Sequence, residues 1–146
     1  ILNGKNVNDF IRTETVSEMS SKISAIPEVR EKLLSLQRSL AAAENVIMDG
    51  RDIGTHVLPN ADVKIFLTAD AHVRAVRRYE EFIAKGVSCT LENVEREVVE
   101  RDERDMNRAI APLKQAEDAV RVDTSAMTIE EVVCYLKNLI GQAVAR

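Results

Sequence analysis

Arg101, Arg104, Asp105 and Arg108 stand at helical spacings i, i+3, i+4 and i+7 in the run Arg-Asp-Glu-Arg-Asp-Met-Asn-Arg at 101–108, so their side chains share one helix face. Leu91, Val94 and Val98 lie further back on the same line of positions. A stripe that starts apolar therefore ends in three guanidiniums and a carboxylate. A solvated, salt-bridged helix would normally carry its charges opposite the apolar stripe, not along it. Arginine presents a planar fork that stays charged at any working pH and bonds phosphate or carboxylate oxygens in parallel, so this face suits an anion.

The elements that must position those charges alternate along the chain. Helices are predicted over 13–25 and 27–42, the second opened by Pro27 and faced by Val29, Leu33, Leu36 and Leu40. Short apolar runs at 46–48 and 63–67 read as buried parallel strands. A helix over 71–85 closed by Gly86, another from about 91 to 108, a break at Pro112, a strand over 119–122 and a helix from Thr128 with Glu131 placed for a capping box complete the order. Alternating strands and helices predict an α/β fold of three layers around a parallel sheet, whose ligands bind beyond the carboxyl ends of the strands. Asp49-Gly50-Arg51-Asp52 lies at such an end. Gly50 permits the turn there, and the flanking charges reach a cleft.

Composition excludes several classes. The 146 residues, 45% hydrophobic, suffice for one core. A net charge of −4 and a pI near 5.3 argue against general nucleic-acid or membrane-surface binding. With aromatics at 3%, stacking platforms for single-stranded RNA are lacking. Cys89 and Cys134 are isolated, without CxxC or a histidine at ligand spacing, and His56 and His72 stand beside no nucleophile. No signal peptide or membrane span is recognisable, which predicts a cytoplasmic protein.

Three separate blocks resemble the bacterial CMP kinase (cytidylate kinase) family of nucleoside monophosphate kinases. They are Asp49-Gly50-Arg51-Asp52-Ile53-Gly54-Thr55, Lys64-Ile65-Phe66-Leu67-Thr68-Ala69, and Glu100-Arg101-Asp102-Glu103-Arg104-Asp105 with Asn107-Arg108-Ala109-Ile110-Ala111-Pro112-Leu113. Ile11-Arg12-Thr13-Glu14 and Ile26-Pro27-Glu28-Val29-Arg30, leading to Gln37-Arg38, are similar to the same family's monophosphate region. The resemblance implies transfer of the ATP γ-phosphoryl group to CMP or dCMP with Mg2+. It places Arg51 and Arg108 on the CMP phosphate, Arg101 and Arg104 towards the transferring phosphates, and Asp105 on the pentose hydroxyl. Arg101 also counts among the CMP contacts and Arg104 among those to ATP. It further assigns Ser21, Arg30 and Asp52 to the cytosine edge, Asp49 to magnesium through water, and Arg77 with Arg78 to ATP, although a charged exposed face accounts for Arg77 and Arg78 equally well and for Arg74 better. Residues 1–42 then belong to the monophosphate-binding region and 43–146 to the remaining core, with a short lid around 78–108.

Family members also carry a glycine-rich phosphate loop ending in Gly-Lys-Ser/Thr. None of Gly4, Gly50, Gly54, Gly86 and Gly141 completes it. The chain resembles the C-terminal two-thirds of the family sequence, so the implied P-loop kinase-like fold is incomplete, lacking the first strand and the loop's helix. That strand would lie between 46–48 and 63–67, and its absence predicts two open edges prone to self-association. Two functions follow: the acceptor and lid portion of a CMP kinase, inactive alone, or a non-catalytic nucleotide-binding or interaction fragment.

Overall fold

The computed structural model describes all residues except 9, 12, 25, 145 and 146, and only the backbone at 14, 17, 18, 21 and 144. The chain divides into two compact units, Ile1–Ile47 and Met48–Arg146.

The first unit contains α1 (Glu14–Ile23) and α2 (Pro27–Ala43). Thr13 caps α1 by accepting from the Val16 N–H at 3.4 Å. Pro27 opens α2, where its missing N–H costs nothing and its fixed φ favours the first turn. The predicted apolar face forms, yet α2 buries none of its described residues, and Leu33, Leu36 and Leu40 stay about half exposed.

The second unit contains β1 (Ile65–Thr68), α3 (Ala71–Ala84), α4 (Leu91–Asn107), β2 (Val120–Asp123) and α5 (Ile129–Val144). β1 and β2 pair in parallel, Ile65 opposite Val120 through Thr68 opposite Asp123. The ladder continues past the strands: Thr124 is buried, and its N–H and hydroxyl both donate to the Thr68 carbonyl at 2.8 and 3.1 Å. Asp70 caps α3 through the His72 and Val73 amides, and Thr90 caps α4 through the Asn93 amide. Ala75, Val94 and Val98 form the buried seam between α3 and α4, flanked by Tyr79, Phe82 and Leu91. Gly86 closes α3 at φ +73°, a conformation that a Cβ would strain. The capping box at α5 is reciprocal, the Thr128 N–H reaching Glu131 Oε2 at 2.8 Å and the Glu131 N–H reaching Thr128 Oγ1 at 3.2 Å.

Two expectations need correction. Residues 46–48 form no strand: Val46 is 40% and Ile47 93% exposed, and no ladder engages them. A short apolar run becomes a strand only when a neighbour supplies hydrogen bonds, and β1 is paired solely with β2 among the described residues. The sheet therefore has two strands instead of three, and the three-layer expectation is met only as a small parallel α/β arrangement. Residues Ile53–Val57 instead wind into one wide π-helical turn.

Candidate functional site

Within the second unit, charged side chains come together from the 49–52 turn, α3, the last turns of α4 and Arg108 just beyond it. Gly50 matters here through close approach, since a Cβ would come within 2.9 Å of the Ile53 side chain. From this turn Arg51 crosses to α4, where its Nε donates to Asp105 Oδ2 at 3.0 Å. Arg101, one turn earlier, brings its Nε to 4.0 Å from the same oxygen. The two guanidiniums thus share one carboxylate.

Around Arg101 the positive charge is concentrated. Burial, then the Arg51 guanidinium, push Arg101 below the ordinary arginine value; Asp105 opposes this, and Arg78 and Arg104 add to the lowering. It remains a cation at any working pH. Arg78 lies 5.2 Å from the Phe82 ring centre, and its buried Nε has no hydrogen-bond partner among the described residues. Arg104 donates from Nε to the Glu100 carbonyl at 3.2 Å and borders an open hollow with Glu100, Glu103 and Asn107.

Arg108 follows α4 and leaves the helix in an extended conformation. Its Nε donates to the Ala111 carbonyl at 2.6 Å, and its Nη2 lies 3.5 Å from Asp52 Oδ1, buried and outside hydrogen-bond geometry. Arg108 and Asp52 thereby link the same two segments as Arg51 and Asp105, each arginine facing a carboxylate from the other segment. Such an arrangement can take a small anion, whose oxygens would compete with Asp105 and Asp52 for guanidinium donors.

The other predicted residues are placed as follows. Asp49 is exposed on the same turn. Arg77 spends Nη2 on the carbonyls of Thr124 at 2.7 Å and Met127 at 3.1 Å, joining α3 to the segment beyond β2. Arg30 lies on α2 in the first unit, partly buried. Ser21 falls on α1, but its side chain lies outside the described residues. Arg74, expected on an exposed charged face, is instead part-buried: it forms a forked pair with Asp102 and bonds the Ala69 carbonyl.

Asp102 is the residue that the sequence reading did not single out. The signal was present: it stands four residues after Val98 on the stripe of Val94 and Val98, where a carboxylate has to find a cation. His72 Nδ1 lies 3.0 Å from Glu95 Oε2 across the same helix pair, and both cysteines are free thiols.

A family profile described as cytidylate kinase matches residues 1–142. The chain is 54% identical over 142 residues to a cytidylate kinase of Carboxydothermus hydrogenoformans, covering 97% of this chain and 64% of that relative. It is 51% identical to a cytidylate kinase of Ligilactobacillus salivarius, covering 97% of this chain and 63% of the relative. A third, from Geobacillus sp. strain WCH70, is 46% identical, with 98% of this chain and 64% of the relative covered. The chain thus spans a little under two thirds of the length of these curated relatives.

Proposed function

The chain belongs to the cytidylate kinase family, and from that premise we propose that its arginine cluster receives the phosphate of CMP or dCMP for transfer of the ATP γ-phosphoryl group, giving CDP or dCDP and ADP. The supporting observation is the Asp105 carboxylate shared by Arg51 Nε at 3.0 Å and Arg101 Nε at 4.0 Å, with Arg78 and Arg104 adding positive charge around Arg101. Phosphoryl transfer asks little covalent chemistry of a protein and much electrostatic positioning, which this cluster supplies.

In this reading Arg51 and Arg108 grip the acceptor phosphate, releasing Asp105 and Asp52 in part. Arg101 bridges the acceptor and the transferring group, and Arg104 faces the transferring phosphates. Asp105 turns to the pentose hydroxyl, which a carboxylate can accept from. Ser21, Arg30 and Asp52 read the cytosine edge with its mixed donors and acceptors. Arg77 serves ATP, for which Nη2 exchanges the Thr124 and Met127 carbonyls for phosphate oxygens. The segment between α3 and α4, turning at Gly86, acts as a short lid that excludes water on closure.

Among the described residues no three His, Cys, Asp or Glu side chains gather as a metal cage. Mg2+ is commonly held by one or two carboxylates together with substrate phosphates and water. Asp49, exposed on the turn, would hold it through water, and the bound ion would neutralise phosphate charge.

The proposal extends to the setting. The reaction is cytoplasmic, where free thiols stay reduced. No helix among the described residues is long and apolar enough to cross a membrane. The open edge of β1 supports self-association. The 146 residues contain no Gly-x-x-x-x-Gly-Lys-Ser/Thr pattern, so they carry acceptor and lid functions and are inactive by themselves.

The test is an ATP-plus-CMP phosphotransfer assay on the 146-residue chain and on the same chain extended by a segment bearing a phosphate loop. Activity confined to the extended chain is the predicted result. Absence of transfer in a folded extended chain contradicts the kinase reading and favours a non-catalytic nucleotide-binding fragment.

A further inference from the structure

On α4 only Val94 and Val98 are buried, so the last turns, which carry Arg101, Arg104 and Asp105, have no apolar anchor. What holds them in place is polar. Asp102 continues the stripe of Val94 and Val98 and meets Arg74 of α3 in a two-point fork, Nη1 to Oδ1 at 3.1 Å and Nη2 to Oδ2 at 2.6 Å. The third nitrogen, Arg74 Nε, donates to the Ala69 carbonyl at 3.0 Å, immediately after β1 ends. One guanidinium therefore ties α4 to both α3 and the end of the sheet. Its planar geometry leaves little rotational freedom. Two further bonds reach this level, the Leu113 N–H to the Asp105 carbonyl at 2.8 Å from the segment following α4 and Arg51 Nε to Asp105 Oδ2 at 3.0 Å from the 49–52 turn.

We propose that the Arg74–Asp102 fork is a positioning clamp that sets the register of α4, so that Arg101 and Asp105 arrive where Arg51 can meet them. Asp102 precedes Asp105 by three residues and follows Arg101 by one, so any slide of the helix at Asp102 moves both. The Arg51–Asp105 bond, at 3.0 Å, has little slack: a shift of about 1 Å takes it beyond hydrogen-bond range. The inference rests on the proposed acceptor function only for its consequence; the geometric claim concerns the Arg51–Asp105 contact itself.

The experiment follows the Arg51 Nε–H resonance by NMR in the full 146-residue chain and, in parallel, titrates CMP by calorimetry. Arg74→Lys keeps the charge but loses the fork, and Arg74→Met removes both. In folded Arg74→Lys the Arg51 Nε–H resonance moves to the position of a solvent-exposed arginine, and CMP affinity falls between about 10- and 100-fold, the penalty typical of a misplaced binding group. A merely structural fork would lower stability and leave that resonance in place. Should Arg74→Met fail to fold, Arg74→Lys and Asp102→Asn carry the test. An unchanged Arg51 resonance in a folded variant overturns the clamp. A resonance that responds to Arg74 in a chain that does not bind CMP upholds the clamp and overturns the acceptor function instead.

Discussion

Asp105→Asn keeps the shape of the side chain and removes the one negative charge that Arg51 and Arg101 share. A unit-charge pair at the 3.0 Å separation of Arg51 Nε and Asp105 Oδ2 is worth about 1.4 kcal/mol at the dielectric of water and about 5.5 kcal/mol at an effective dielectric of 20. The arginine is 42% and the aspartate 20% exposed, so solvent screening and side-chain entropy reduce the net effect. The expected loss of stability is about 1 to 2 kcal/mol, in the range of hydrogen bonds to charged groups. The assay is urea unfolding followed by far-UV circular dichroism. Because the effect is Coulombic, the loss shrinks between about 0.01 M and about 1 M salt, as the Debye length falls from about 30 Å to about 3 Å. The same substitution leaves the guanidiniums less neutralised, so inorganic pyrophosphate binds the variant more tightly than the parent. A loss independent of salt, together with unchanged pyrophosphate affinity, refutes the idea that this carboxylate balances an anion-seeking cluster.

Arg108→Ala is predicted to weaken CMP binding by about 2 to 5 kcal/mol, the usual cost of truncating a buried charge-assisted partner; unchanged calorimetric affinity removes Arg108 from the site. Ala111 adopts φ +48°, a left-handed conformation that costs a non-glycine residue about 1 to 2 kcal/mol. Ala111→Gly therefore raises the urea midpoint modestly, and a lower midpoint contradicts the assigned strain. Two bonds from Lys64, at 2.6 and 2.9 Å, hold the Asp118 carboxyl below its usual range. A group with a depressed folded value stabilises above the ordinary carboxylate range, and that contribution fades as pH falls below about 4. Asp118→Asn is predicted to flatten this acid limb of stability, and an unaltered limb removes the Lys64 bonds as its cause.

Local signals were readable and non-local ones were not. The arginine face of α4, the capping box of Thr128 and Glu131 and the glycine stop at Gly86 depend on spacings within a few residues, and each appears in the structure. The run at 46–48 looks like a strand because its residues favour one, but strand formation needs a partner that composition cannot reveal. The wide turn at Ile53–Val57 and the positive φ of Ala111 have no residue signature of their own. For the candidate site, Arg51, Arg101 and Asp105 were legible as charges on a strand-end turn and a helix face, whereas the contact between Arg51 and Asp105 spans 54 positions and was not. Arg77 illustrates the reverse: its type suits phosphate, while its donors are occupied by backbone carbonyls.

Calorimetric titration of CMP and of cytidine into the folded 146-residue chain tests most directly whether the guanidiniums form a phosphate site. CMP is predicted to bind saturably and cytidine about 10- to 100-fold more weakly, the difference expected from one charge-assisted bond, with Arg101→Met collapsing that gap. Equal affinities for the two, or a gap untouched by Arg101→Met, would contradict the assignment.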